Sequence, residues 1–162
     1  MELIINKQKF KIFLEITREL NNSFNVTPIL YGSLGLYRLI GEHSSVNDTD
    51  ILVPEDFLKL RWRDLISLME RLNFKLKDEK EHEFIRNKKL VGFAGDKDLV
   101  DMVNIDPSSL KISKVKNAKF KELSVKQYLL LYQNMLRDNY RQEKLEKEDK
   151  VKIKLIKDFL KH

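Results

Sequence analysis

The chain contains no cysteine. Disulfides and thiolate metal sites are therefore excluded, and any metal must be held by oxygen or by one of the three histidines, His43, His82 and His162. No two of these histidines stand at metal-binding spacing, so they read as surface or loop residues, and a hard cation such as Mg²⁺ is what the composition leaves open. Nor does any stretch reach the roughly 18 uninterrupted apolar residues of a membrane span. Met1 to Phe10 lacks the apolar centre of a signal peptide, which predicts a cytoplasmic protein with no membrane partner. Internal repeats, Gly/Ser linkers and low-complexity tracts are absent too, so one domain over residues 1–162 is expected.

What is present is enough apolar matter for a core: 42% of 162 residues are hydrophobic. The net charge of +6 comes from 31 basic against 25 acidic side chains. Their spread along the chain is compatible with a nucleotide or nucleic-acid partner, yet solvated helices give the same balance, so nucleic acid is possible but not indicated. Phe10, Ile12, Phe13, Ile16, Leu20 and Phe24 follow helical spacing and predict an amphipathic first helix over Asn6 to Phe24. Pro28 to Tyr31 reads as a short buried strand. Ser33 to Gly41 reads as a buried helix with Ser33 as N-cap and Gly41 as its stop.

His43 to Asn47 is loop-like, Thr49 to Val53 is a second strand, and one long helix is expected from Pro54 to Asn73. Trp62 on that helix reads as a packing residue rather than a base-stacking platform. Short β-like pieces follow at Phe74 to Lys77, His82 to Arg86 and Leu90 to Ala94, with a turn at Asn87-Lys88. Leu99 to Ile105 is either a further strand or a loop with a helical turn. After Pro107 comes a polar connector, then a helix capped by Ser124 and Gln127 and running to Leu136, then a last helix from Lys144 to Leu160. The buried side of that last helix is expected at Val151, Ile153, Leu155, Ile156, Phe159 and Leu160. The fold class is thus α/β (α+β): a mixed sheet of about four to five strands flanked by helices, with a core over about 1–106 and a helical part over about 120–162.

Asp48 and Asp50 stand one residue apart beside the apolar run Ile51, Leu52, Val53. On an extended strand residues i and i+2 face the same way, so both carboxylates project together, close enough to share a divalent cation. Taken alone, such a pair is more often turn chemistry than a metal site, because Asn47 and Asp48 suit an Asx turn. Upstream, Gly32-Ser33 closes its own apolar run. A glycine there permits close backbone approach, and the N–H groups after Ser33 lie at a helix N-terminus suited to phosphate.

Leu30-Tyr31-Gly32-Ser33, a short helix, then Asp48-Thr49-Asp50-Ile51-Leu52-Val53 resembles the signature of the nucleotidyltransferase superfamily, with its polymerase-beta-like fold. The spacing is most similar to small aminoglycoside-nucleotidyltransferase-like proteins. The resemblance implies transfer of a nucleoside monophosphate from a nucleoside triphosphate to a hydroxyl acceptor, with Asp48 and Asp50 holding Mg²⁺ or Mn²⁺ and Gly32 and Ser33 holding phosphates. It also implies a third carboxylate on a neighbouring strand. Asp101, flanked by apolar residues, is the first choice for it; if Leu90 to Ala94 is the counterpart strand, the position falls near Gly92 and Glu83 is the substitute. Where relatives carry a substrate-facing lysine in the late helices this chain has Gln133, with Lys147 or Lys144 to compensate. The alternative is a catalytically inactive nucleotidyltransferase fold serving as a ligand-binding or protein-interaction module, including a toxin or antitoxin half.

Overall fold

A computed structural model describes residues 2–41, 46–137 and 143–162. Seven strands form one mixed sheet: β1 (Ile29–Tyr31), β2 (Thr49–Val53), β3 (Lys75–Asp78), β4 (Glu83–Arg86), β5 (Lys89–Gly95), β6 (Lys111–Val115) and β7 (Ala118–Glu122). Their order across the sheet is β3-β4-β5-β2-β1-β7-β6. β1 runs antiparallel to β2 and parallel to β7, whereas β2 runs parallel to β5. The sheet therefore has more than the four to five strands expected, because the polar connector after Pro107 is the β6–β7 hairpin, paired through β7 to the centre of the sheet.

Helices cover both faces. Successive strand residues point to opposite sides, so Leu30, Ile51 and Val53 join one core and Ile29 and Leu52 the other. The first core is closed by α1 (Glu2–Phe24) and α3 (Trp62–Arg71). There Phe13 meets Phe120 edge-on with ring centroids 5.1 Å apart. The second core lies under α4 (Lys97–Val103), α5 (Val125–Leu136) and α6 (Glu143–Leu160), through Leu99, Leu131 and Ile156. The remaining helix, α2 (Gly32–Ile40), sits between them, giving Leu34 to the first core and Leu36 to the second. Each such fully buried side chain contributes roughly 1.5–3 kcal/mol. Ile51, Leu52 and Val53 are all buried, so the strand that carries Asp50 is held from both faces.

Several expected elements take a different form. The stretch from Pro54 to Asn73 is a 3₁₀ turn at Glu55–Leu58 followed by α3, not one helix. Trp62, at the start of α3, packs edge-on against His82 at 4.9 Å, as a packing residue should. Leu99 to Ile105 is largely the short helix α4. On α6 the buried residues are Asp149, Lys152 and Ile156, whereas Val151, Phe159 and Leu160 are exposed. The expected capping box of Ser124 and Gln127 is formed at the start of α5. No helix among the described residues is long and apolar enough to cross a membrane.

Candidate active site

β1 ends at Tyr31, and the chain turns through Gly32 with φ of 68° into α2. That positive φ favours glycine, and a Cβ at Gly32 would overlap the Asp50 carboxylate oxygen Oδ2. The glycine thus lets the acid of β2 lie directly against the turn. Ser33 does not cap α2. Buried, it accepts a hydrogen bond at Oγ from the backbone N–H of Asn47, 2.8 Å away, and so ties the approach to Asp48 onto the turn. Accepting uses a lone pair and leaves the hydroxyl proton to donate. The Lys9 ammonium on α1 donates to the Val46 carbonyl at 3.3 Å and to the Asn47 carbonyl, fixing the same segment from the other side.

Across the sheet, Tyr31 is in register with Asp50, Asp50 with Gly92, and Gly92 with Glu83. Opposed residues in register share a face, so Asp50 and Glu83 point to the α5–α6 side with an unfilled place between them at Gly92. Two strand spacings, about 10 Å of backbone, separate the two acids. Among the described residues no three His, Asp or Glu side chains converge as a metal-holding group. Asp48 is exposed and Asp50 half-buried, and each feels the cleft from the same strand start. They border a cavity of about 370 Å³ lined also by Glu81, Glu83 and Gly92, and a second of about 260 Å³ lined also by Gly32, Ser33 and Lys152.

The charges in this cleft act on one another. Burial, followed by the like charge of Asp48, pushes the Asp50 carboxyl up to about 7, with Glu83 adding to the rise and Lys152 opposing it. A carboxyl raised first by burial and then by a neighbouring acid is a perturbed group in a cleft, the kind of position where sites are found. Lys152 is buried on α6, its Nζ 5.3 Å from the centre of the Tyr132 ring. Asp149 lies one helical turn before it, also buried, and Glu148 accepts from the Asn47 side-chain amide at 3.4 Å. Here α6 closes the smaller cavity.

Not every expected site residue belongs to this cleft. Asp101 is not strand-borne: it lies on α4, exposed, paired with Lys97 at 3.8 Å, and does not line either cavity. The position on the counterpart strand is Gly92, and Glu83 is the acid that comes nearest to replacing it. Lys147 is exposed and pairs with Glu143 one turn away at 3.8 Å, and Lys144 is exposed as well. The lysine that lines the cavity is Lys152, and from α5 the lining residues are Tyr132 and Met135 rather than Gln133. His43 lies outside the described residues, and His162 is exposed at the chain end.

Sequence reading missed Lys152 and Asp149, although a signal was there. Leu145, Asp149, Lys152 and Ile156 are spaced by four, three and four, the inward stripe of a helix, with two charged residues where apolar ones are usual.

Fold and site together define a mixed α/β protein with a carboxylate-lined cleft where the end of β1 meets the start of β2. Over 150 residues, 93% of this chain and 96% of the other, it is 33% identical to the protein named "Uncharacterized protein YnaI" from Bacillus subtilis (strain 168), and it belongs to the same family as that protein. No family model matches the chain, and no solved structure matches it significantly.

Proposed function

We propose that this chain is a nucleotidyltransferase-like protein that transfers a nucleoside monophosphate from a nucleoside triphosphate to a hydroxyl acceptor with the help of Mg²⁺ or Mn²⁺. The observation that carries the reading is the contact of Asp50 with the Gly32 turn, with Asp48 alongside and Ser33 bonded to Asn47. Asp48 and Asp50 would hold the cation, whose chemistry is to neutralise charge on the phosphates. The first N–H groups of α2, the Ser33 hydroxyl and the Lys152 ammonium would take the phosphate oxygens in the smaller cavity. The acceptor would enter beside Glu81 and Glu83. Its hydroxyl oxygen would form a bond to the α-phosphorus as the bond to pyrophosphate breaks, and its proton would pass to a carboxylate of the cleft, a role we assign to Glu83.

Calorimetric titration with ATP, CTP, GTP and UTP in Mg²⁺ or Mn²⁺ tests this. Wild-type protein should bind at least one of them, and Asp48→Asn with Asp50→Asn should abolish the heat. Unchanged heats in the double variant would remove the carboxylates from the reading.

A second reading is favoured by Gly92, which leaves the row between Asp50 and Glu83 without an acid. In that case the cleft binds a ligand without turnover. Nucleotide binding with no pyrophosphate released from any acceptor pool would select it.

A further inference from the structure

On the opposite side of the sheet, α1, α2 and the β6–β7 turn enclose a cavity of about 420 Å³ that shares no lining residue with the acid cleft. Its volume lies within the roughly 300–1,000 Å³ of small-molecule sites. Phe10, Leu14, Leu34 and Tyr37 supply apolar and aromatic wall, and the charged residues lining it are Lys7, Lys11, Arg38 and Lys116, all basic.

Two details separate this cavity from an incidental groove. Arg38 is fixed: its Nε donates to the Glu122 carboxylate at 2.8 Å, and its guanidinium lies 4.9 Å from the centre of the Phe10 ring and 5.7 Å from that of Phe120. Among the described residues its terminal nitrogens have no hydrogen-bond acceptor, so their N–H groups are available in a geometry already held by Nε. Asn6 is the second. It occupies the face of α1 that continues through Phe10 and Leu14, where an apolar residue would be usual, and it is only 7% exposed. It lines the cavity and sets an amide among the apolar wall residues. An amide offers both a donor and an acceptor to a polar ligand group.

We propose that this cavity binds a small amphipathic carboxylate, its apolar body against Phe10, Leu14 and Leu34 and its head group at Arg38, the Asn6 amide and the lysine rim. Apolar wall selects the body, and a rim of one sign selects the charge of the head. The inference does not depend on the chemistry of the acid cleft.

Titration of the whole ¹⁵N-labelled chain with octanoate, followed by NMR at the Asn6 side-chain amide, tests it, with octylamine as the probe of equal body and opposite charge. Octanoate should shift the Asn6 amide saturably and bind at least about tenfold more tightly than octylamine, the scale of a hydrogen bond to a charged group. Lys7→Glu with Lys11→Glu, two exposed positions on α1, should weaken octanoate about tenfold or more while leaving the thermal transition in place. Asn6→Leu should weaken octanoate. Equal binding of the two probes, wild-type affinity in the Lys7/Lys11 variant, or no shift at Asn6 up to millimolar octanoate would overturn the proposal.

Discussion

Asp50 holds its proton to about pH 7 because of its burial and the charges of Asp48 and Glu83, against the pull of Lys152, whereas the ordinary value is 3.8. Below both values the group is neutral folded or unfolded and has no effect. As pH rises between them the unfolded chain releases the proton and the folded chain does not, so stability falls from about pH 4 to about pH 7 and then levels off. The loss is on the order of a few kcal/mol. Asp50→Asn is therefore expected to raise the melting temperature at pH 8 and to leave it nearly unchanged at pH 3.5, by calorimetry of the metal-free protein. The two glycines against this acid should differ. Gly32→Ala meets both the positive φ and the Asp50 carboxylate and should cost about 2 kcal/mol or more, whereas at Gly92 a Cβ would stand 3.5 Å from Asp50 in ordinary contact, making Gly92→Ala nearly neutral. Denaturant midpoints of the two variants compare them directly.

Elements carry the acids into place, and some are held by few bonds. Arg86 on β4 donates to both oxygens of Glu15 on α1, at 3.1 and 3.0 Å, and also to the Leu72 carbonyl at 2.6 Å, over the Phe74 ring. Arg86→Met should destabilise by about 2–4 kcal/mol in chemical denaturation, because it strands a half-buried carboxylate and a carbonyl, and Glu15→Gln should cost less. Such links between distant elements were not legible in the sequence, but most elements themselves were. The Gly-Ser turn and the Asp-x-Asp strand could be read because a short apolar run ends in residues with special backbone or charge. β6 and β7 escaped because their apolar content is thin: Ile112 is exposed, and on β7 Ala118 and Phe120 are the buried apolar residues between lysines. The turn between them was nonetheless written in the chain. Lys116 and Asn117 both have positive φ, as do Asn87 and Lys88 in the hairpin that was recognised. Asp101 misled for the converse reason, since apolar flanks at 99, 100, 102 and 103 suit a strand or one turn of helix equally. On α6 the two lysines should part company: Lys152→Met should weaken triphosphate binding about tenfold or more while Lys147→Met leaves it unchanged, by titration calorimetry.

For the molecule as a whole, a sheet covered on both faces presents a cleft of acids on one side and a cavity with a basic rim on the other. The net charge of +6 therefore says little about either place, because the charges are sorted by position rather than shared. The acid cleft should respond to divalent cations through the stability of the entire fold, since a ligand that binds only the native state raises its melting temperature. Carboxylates must be ionised to coordinate a cation, so the rise with Mg²⁺ or Mn²⁺ should be larger at pH 8 than at pH 5.5.

In the proposed function Asp48 and Asp50, set against the Gly32-Ser33 turn, organise a cation and a triphosphate in one cleft. Titrating each of the four nucleoside triphosphates in Mg²⁺ into wild-type protein and into the Asp48→Asn, Asp50→Asn double variant measures that most directly. Binding should be saturable and cation-dependent in the wild type and lost in a double variant that is folded and, at pH 8, more thermostable. Nucleotide binding of equal strength in both proteins, or in the wild type with the cation removed, would contradict it.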